Sequence, residues 1–570
     1  MEWILTNKKN YLPSDGNFIS YTGENYTLYI SDGDFDINIL NQDTVVLIDG
    51  YLLPRLNSNI LFNKQNPSIT IKDLYRRAGK DYINDVKGCF ISMILKKNKF
   101  IIDSDHFGVK KFFIYENDNT FIISNNIKYI VREIKPDISR YAIIDHVLFN
   151  RYINGNTIYK GITFNRPSQR FIFNGILRRD YYWDYNTLHN SGNNNTTLSE
   201  HIYDYKNIVK GYIDHCKYNN ISVPLTGGVD CRTIIAALLS FDIKPSSYTY
   251  SHPESNDSIY GEHAARALNL QFNVHYLYPD SNEYCTLAKE IWENGNTLVS
   301  LHRAHRLYGI KQEAGDKKPL MFLGYMGGDW VRGLWPDDLI ISRALRRRWE
   351  DNKDVDSIVE DEFKRNYLKY TKNDIEYGHE VLNKFAHGGE FACFLRYLVQ
   401  GVAHMHFSQD LNLFERYTIP VPIYMDIDYL YSLFSTEYTF QRTGNMTRNK
   451  LKKLRSPEYN SHLLYKLFPA SARIPVGNGY TPSLYIRSRY LAFMQKVLYD
   501  KFISKKYKKN YTYDAWFNTF LINSFHNNEQ IDDIFSISMD DILSTVIRTE
   551  PDAFPFSRYI DIGNYINTNM

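Results

Sequence analysis

Two glycine-rich turns hold the residue types that bind phosphate groups. The first, Thr226-Gly227-Gly228-Val229-Asp230-Cys231, lies between the apolar runs 221–225 and 233–239, which predict a strand and a helix. A helix that starts at such a turn points backbone N–H groups into an anion-binding nest. We expect its glycines to allow positive φ and close approach of an anion, and Asp230 to hold a divalent cation. Taken alone, the motif also fits a strand-to-helix turn without a ligand.

The second turn, Gly324-Tyr325-Met326-Gly327-Gly328-Asp329, repeats the order of an apolar run, small residues and an acid. Two such turns at the carboxyl ends of parallel strands can close around one triphosphate. The lysine of the nucleotide-hydrolysing P-loop is absent from both turns. The residues predicted to bind the nucleotide are Leu225, Thr226, Gly227, Gly228, Asp230, Cys231, Gly324, Gly327 and Gly328. Asp230 and Asp329 are predicted to share magnesium.

The elements that would position these turns are strands and helices that alternate after residue 200. Strands are predicted at 221–225, 247–250, 272–277 and 320–323, with helices between them. This alternation predicts a parallel sheet of the α/β class, whose ligands bind at the carboxyl ends of its strands. Asp257 is predicted to cap the helix that follows the second strand, with a nucleotide contact as the alternative.

Residues 1–185 have a different pattern, because short β-type runs predominate there. This pattern predicts a strand-rich layered domain of the α+β class. The polar stretch 186–199 predicts a linker, so we expect domains at 1–185 and 200–570.

The composition is typical of a globular protein. Of the 570 residues, 43% are hydrophobic, and the net charge of +3 is too small to indicate binding to nucleic acids or membranes. Five scattered cysteines argue against a disulfide framework or a zinc site. No signal peptide or membrane-spanning run is visible, so we expect a soluble cytoplasmic protein.

The chain resembles the asparagine synthetase superfamily, which includes the glutamine-dependent asparagine synthetases, the β-lactam synthetases and the cyclases of lasso peptides. The turn 226–231 is similar to the family's Ser-Gly-Gly-x-Asp-Ser pyrophosphate loop, and the turn 324–329 to its second loop. The stretch that begins Asp105-His106-Phe107-Gly108 resembles the Asp-x-x-Gly-x-Lys segment of the glutaminase-type domain. The stretches 121–128 and 420–426 resemble two further family segments.

This resemblance implies a fold, a chemistry and cofactors. Residues 1–185 would form a glutaminase-like (Ntn-type) β-sandwich with helices. Residues 200–570 would form an ATP-pyrophosphatase (PP-loop) domain with a parallel sheet and many helices. Members of the family use ATP and magnesium to convert a carboxylate into an acyl-adenylate, which an amine then attacks.

The first domain departs from the family pattern. Members that hydrolyse glutamine use a cysteine exposed when Met1 is removed, whereas residue 2 here is Glu. The family's Asn-Gly-Glu segment is not visible either, the nearest stretch being 48–52. We therefore expect a degenerate domain that releases no ammonia.

The second half of the chain departs from the family pattern at one position, where a basic residue is missing. Gly477 stands where the family has a lysine that stabilises the oxyanion and phosphate. Arg473 could replace it, as could Lys450, Lys452 or Lys453. If none does, the chain would be a catalytically degenerate relic that binds a nucleotide or a partner protein.

Tyr325 resembles the tyrosine with which β-lactam synthetases deprotonate the attacking amine, at a place where asparagine synthetases have a glutamate. We predict that Tyr325 is the base, with Glu390 or Glu415 as its partner. A tyrosine that only packs on the loop is the alternative, because the chain has 47 tyrosines.

The expected activity is that of an ATP-dependent, AMP-forming carboxylate–amine ligase that uses a substrate amine or free ammonia. The carboxylate would belong to a small molecule or a peptide. Macrolactam formation on a lasso-type precursor and amidation of a sugar acid or another metabolite both remain open. A partner protein from the same biosynthetic pathway is a further expectation.

Overall fold

The computed structural model describes residues 2–13, 17–31, 36–40, 44–118, 120–149, 151–153, 155–191, 196–215, 220–276, 278, 283–296, 298–332, 356–366, 368–440 and 455–503. The chain divides into two compact units. One comprises Met1–Asn186, Asn294–Leu298 and Leu395–Asn412, and the other comprises Thr187–Glu293, Val299–Phe394 and Leu413–Met570. Two short segments from the second half of the chain therefore belong to the first unit. The domain limits and the linker derived from sequence stay predictions.

The first unit is built mainly from strands. These are β1 (Trp3–Thr6), β2 (Phe18–Thr22), β3 (Thr27–Ser31), β4 (Asp36–Leu40), β5 (Thr44–Pro54), β6 (Val86–Lys96), β7 (Lys99–Ser104), β8 (Phe113–Asn117), β9 (Thr120–Ser124), β10 (Ile162–Phe164), β11 (Gln169–Phe173) and β12 (Leu177–Tyr181). Helices α1 (Pro67–Ala78), α2 (Ile127–Ile134) and α3 (Arg140–Phe149), a 3₁₀ turn (Gly79–Asp85) and a π-helical stretch (Tyr397–Phe407) complete it.

The strands of this unit form two antiparallel sheets. One has the order β10-β8-β9-β1-β3-β2, and the other β12-β11-β7-β6-β5-β4. The longest pairing joins β5 to β6, from Thr44 opposite Lys96 to Pro54 opposite Val86.

Apolar residues from both sheets form one core. They include Trp3, Leu5, Leu28 and Ile30 from the first sheet, and Leu47, Ile91, Met93 and Phe171 from the second. Alternate residues of a strand face opposite sides, so the second sheet also presents Val46, Ile48 and Phe90 to α1 on its outer face. The predicted β-sandwich with helices is confirmed.

The second unit combines short strands with many helices. The strands are β13 (Ile221–Pro224), β14 (Ser246–Thr249), β15 (Phe272–Val274), β16 (Leu320–Phe322) and β17 (Ile419–Val421). The helices before β16 are α4 (Thr187–Ser191), α5 (Leu198–His215), α6 (Asp230–Leu239), α7 (Asn256–Leu268), α8 (Glu283–Asn294) and α9 (Ala304–Ala314). Those after it are α10 (Asp329–Arg332), α11 (Asp356–Arg365), α12 (Lys372–Ala386), α13 (Glu390–Arg396), α14 (Ser408–Phe414), α15 (Ile427–Phe434), α16 (Arg455–Leu467), α17 (Pro469–Ala472), α18 (Pro482–Arg487) and α19 (Arg489–Phe502).

The five strands described in the second unit lie in one parallel sheet with the order β15-β14-β13-β16-β17. From β13 the chain adds β14 and β15 on one side and later β16 and β17 on the other. The order therefore reverses between β13 and β16, which pair with Ile221 beside Leu320 and Ser222 beside Met321. Such a reversal opens a crevice at the carboxyl ends of the two strands, where α/β proteins bind ligands. The predicted parallel-sheet fold is confirmed.

Among the described residues, no helix has the length and apolar character that a bilayer crossing requires.

Candidate active site

The first glycine turn connects β13 to α6. The N-cap of α6, Val229, makes no side-chain hydrogen bond to the helix, so the N-terminal end of α6 is left to other acceptors. Two N–H groups of the turn already have acceptors within the chain. Gly227 N donates to Asp257 Oδ1 at 3.2 Å, and Gly228 N donates to Thr226 Oγ1 at 3.1 Å. The prediction of an open nest is therefore wrong for these two donors.

Asp257 does not cap its helix, contrary to the prediction. Ser255 caps α7, since its hydroxyl accepts a hydrogen bond from Ser258 N at 3.1 Å. The Asp257 carboxylate instead holds Gly227, and burial raises its pKa. Asp257 thus fixes the shape of the phosphate-type turn.

The glycines of both turns allow close packing, and positive φ is not their role. Gly227, Gly228, Gly324, Gly327 and Gly328 all have ordinary backbone angles, which corrects the expectation from sequence. A Cβ at Gly324 would lie 2.7 Å from Cys231 Sγ, and a Cβ at Gly327 would lie 2.7 Å from Asp230 Cγ. The second turn therefore rests directly on the first. The positive φ in this region belongs to Met326, a buried residue with φ +71°, so the second turn has local backbone strain.

The two predicted metal ligands share an electrostatic environment. The pKa of Asp230 is raised to about 6, mainly by burial; Arg332 and the amide of Asn460 lower it, and the Asp329 carboxylate raises it. Because the Asp329 charge affects the pKa of Asp230, the two carboxylates lie close enough to interact electrostatically. Two carboxylates beside phosphate oxygens match the oxygen ligands that magnesium prefers. The described residues hold no group of three or more His, Cys, Asp or Glu side chains that could bind a metal ion.

A cavity opens at the ends of β13 and β16. Its lining is formed by Pro224, Thr226, Gly228, Asp230, Cys231, Tyr248, Tyr250, Arg306, Ile310, Leu323, Gly324, Tyr325 and Phe414. The structure thus brings together residues of both predicted turns. Burial raises the pKa of the Cys231 thiol to about 12, so this side chain is neutral there.

Four further side chains line this cavity although their sequence context did not indicate it: Tyr248, Tyr250, Arg306 and Phe414. The tyrosines lie at the carboxyl end of β14, a position that the strand rule could have indicated. Arg306 and Phe414 come from α9 and α14, where no motif precedes them. The Arg306 guanidinium carbon lies 6.0 Å from the centroid of the half-buried Tyr325 ring.

Three predicted residues lie elsewhere or stay undecided. Glu390 is the first residue of α13 and is not among the residues that line the cavity, while Glu415 follows the lining residue Phe414. The partner of Tyr325 therefore stays a prediction. Arg473 is exposed at the end of α17 and does not line the cavity. Lys450, Lys452 and Lys453 lie outside the described residues.

The first unit has a buried ion pair in the stretch nearest the family's glutamine-binding segment. Lys110 Nζ lies 2.7 Å from Asp49 Oδ1, and both side chains are about 10% exposed. Trp3 Nε1 and Asn125 Nδ2 donate to Asp49 Oδ2 at 3.0 and 3.1 Å. Glu2, at the position of the family's cysteine, accepts hydrogen bonds from Asn126 and Tyr129. These charged and polar side chains therefore have ion-pair or hydrogen-bond partners within the first unit.

Fold and site together define a class of two-unit proteins, in which one chain carries an antiparallel sandwich and a parallel sheet with a ligand crevice at its switch point. No protein-family model matches the chain. A curated relative, putative asparagine synthetase 2 (glutamine-hydrolyzing) of Methanocaldococcus jannaschii, is 27% identical over 233 residues, which are 37% of this chain and 43% of the relative. The chain thus matches less than half of that relative's length. The chain is thus similar to a putative asparagine synthetase, which agrees with the resemblance of its sequence motifs to that superfamily.

Two solved structures have low similarity to the chain. The allosteric regulatory enzyme of purine biosynthesis is 10% identical, with a TM-score of 0.20. The match covers 39% of this chain and 54% of the enzyme's chain. The glutamine phosphoribosylpyrophosphate amidotransferase from B. subtilis, complexed with ADP and GMP, has 9% identity and a TM-score of 0.19, and covers 53% of this chain and 68% of its own. Neither score bears on the function of this chain.

The contact between the turns can be tested at Gly324. We expect Gly324→Ala to destabilise the second unit by about 1–3 kcal/mol, because the new methyl group would overlap Cys231. The loss is measured by urea unfolding. Gly389→Ala is the matched control, since a Cβ at Gly389 meets nothing within 4 Å. The double variant Gly324→Ala with Cys231→Ala should recover part of the loss. Equal stability of the two alanine variants would contradict the packing of the turns.

Proposed function

We propose that the chain is an ATP-dependent carboxylate–amine ligase that forms an amide through an acyl-adenylate. The observation that carries the proposal is the packing of two glycine turns at the switch point, with Asp230 and Asp329 in electrostatic reach of each other. A carboxylate is a poor electrophile, and adenylation supplies it with a good leaving group. The relationship to asparagine synthetases supports this choice of reaction.

The proposed reaction has two steps. A substrate carboxylate oxygen attacks the α-phosphorus of ATP, the bond to the β-phosphate breaks, and pyrophosphate leaves. An amine then attacks the acyl carbon, AMP leaves, and the amine loses a proton. Magnesium, when bound by Asp230 and Asp329, would neutralise charge on the pyrophosphate. The N-terminal end of α6 would stabilise the same negative charge.

Tyr325 is our candidate for the base that takes the amine proton. Its ring is half-buried in the cavity wall, beside the Arg306 guanidinium. A tyrosine at this position favours a substrate amine over free ammonia. The buried Asp49–Lys110 pair supports the proposal that the first unit does not hydrolyse glutamine.

The substrate class stays broad. The proposed carboxylate belongs to a peptide, as in macrolactam formation, or to a sugar acid or related metabolite. Aromatic side chains of Tyr248, Tyr250 and Phe414 offer apolar faces for either substrate. A partner protein from the same pathway could present it.

The role of Tyr325 can be tested by Tyr325→Phe. We expect amide formation to fall by about 10²- to 10⁴-fold, the contribution of one general base. Hydroxylamine needs no such base, so hydroxamate formation from the adenylate should persist. Both products are measured by mass spectrometry with candidate carboxylates. Tyr250→Phe is the control, because Tyr250 also lines the cavity. Undiminished amide formation by Tyr325→Phe would refute the base assignment.

A nucleotide-binding relic is the second candidate. It is favoured by Gly477, which occupies the place of the family's lysine and packs on Gly227. Binding of ATP without any AMP formation would favour this alternative.

A further inference from the structure

A side chain at position 477 would crowd the first turn. Gly477 N donates to Gly227 O at 2.8 Å, and Gly477 O accepts a hydrogen bond from Asn256 Nδ2 at 2.8 Å. A Cβ at Gly477 would lie 3.0 Å from Gly227 Cα. The buried Arg232 also donates to Ile474 O and Pro475 O, which holds this segment against the first turn. The segment that supplies a cation in related ligases is therefore used here for backbone packing.

A different cation, Arg332, lies beside the second turn. Arg332 ends α10, three residues after Asp329, and its Nη2 lies 2.7 Å from Asp329 Oδ1. The guanidinium folds back over Gly328, where a Cβ would lie 3.1 Å from Arg332 Nε. The Arg332 guanidinium thus contacts both the proposed magnesium ligand Asp329 and the backbone of the second turn.

The geometry points to Arg332 as the pyrophosphate-binding cation of this site, in the role that a lysine at position 477 has in related ligases. This inference rests on the proposed function. A guanidinium binds two phosphate oxygens at once and stays charged at every working pH. About half of the Arg332 side chain is exposed, so its fork is accessible to a ligand.

The proposed role includes an exchange of partners at Asp329. Without phosphate, Arg332 neutralises the Asp329 carboxylate. When a magnesium–triphosphate complex binds, Asp329 would contact the metal, and Arg332 would contact the pyrophosphate oxygens. Each ionic group then keeps a partner of opposite charge, which lowers the cost of rearrangement.

The test compares two ligands with and without a pyrophosphate group. Magnesium α,β-methylene-ATP and AMP are titrated into the full-length protein by calorimetry. We expect Arg332→Ala to weaken binding of the methylene analogue by about 10- to 100-fold, the contribution of a charge-assisted hydrogen-bonded pair. The affinity for AMP should stay unchanged. Arg332→Lys should retain part of the affinity because it keeps the charge.

Arg365→Ala is the matched control. Arg365 forms the same type of i,i+3 pair with Glu362, in α11, and its side chain is 65% exposed. It should leave both affinities unchanged. If Arg332→Ala binds the analogue like the wild type, or weakens both ligands equally, the role of Arg332 is refuted while the proposed function stands. If the wild-type protein does not bind the analogue, both proposals fail.

Discussion

Replacement of Asp230 by alanine should abolish tight binding of magnesium α,β-methylene-ATP, with a loss of at least about 100-fold. Asp230 is the residue on which the two turns converge, because it begins α6, lines the cavity and contacts Gly327 of the second turn. Its removal would take away one proposed metal ligand at the phosphate end. The affinity is measured by calorimetry with the full-length protein.

The fold of this variant should survive. Burial and Asp329 raise the pKa of Asp230, so its ionised form at neutral pH costs folding free energy. We therefore expect Asp230→Ala not to lower the unfolding temperature. Asp316→Ala, at an exposed carboxylate away from the cavity, should leave affinity unchanged. Wild-type affinity in Asp230→Ala would contradict the proposed site.

The second large effect is expected in the first unit, where Asp49→Ala should destabilise the sandwich by about 3–5 kcal/mol. The change leaves the Lys110 ammonium buried without its carboxylate and removes the acceptor of Trp3 Nε1. Hydrogen exchange of β1 and β5 amides in the full-length protein measures the loss. Joint replacement by Asp49→Leu and Lys110→Met should recover most of it, because both charges are then gone.

The pH dependence of this effect has a definite sign. Burial alone would raise the pKa of Asp49, but the Lys110 charge and three hydrogen bonds lower it below its ordinary value of 3.8. A lowered pKa contributes stability above pH 3.8 that is lost as the pH falls through the folded-state value. The difference between wild type and Asp49→Ala should therefore shrink in acid.

An exposed ion pair supplies the control for the buried one. Lys97 and Glu24 lie 3.5 Å apart with side chains 70% and 50% exposed, so Glu24→Ala should cost no more than about 1 kcal/mol. A similar small loss in Asp49→Ala would show that the buried pair does not stabilise the unit.

The sequence was sufficient to predict both turns and four strands of the parallel sheet that carries them, but not β17. Apolar runs followed by glycines and an acid are local patterns, and the alternation of strands and helices implies parallel order. The adjacency of Gly324 to Cys231 also agrees with the prediction that the two turns meet.

Residues brought in by packing could not be predicted in the same way. Arg306 and Phe414 reach the cavity from helices whose sequences carry no motif. The role of the glycines in the two turns was predicted wrongly. They allow one turn to pack closely against the other, and the contacting residues are far apart in sequence. Asp257 is a similar case, since its acceptor role requires Gly227 to lie beside it.

We propose that ATP is cleaved to AMP and pyrophosphate when a carboxylate is activated at the two turns. The most direct test incubates the protein with ATP, magnesium, hydroxylamine and a panel of peptide and sugar-acid carboxylates, and identifies the products of ATP by ³¹P NMR. We predict AMP, pyrophosphate and an equal amount of hydroxamate, all lost in Asp230→Ala. Release of ADP and phosphate, or bound ATP that stays intact with every carboxylate, would contradict the account.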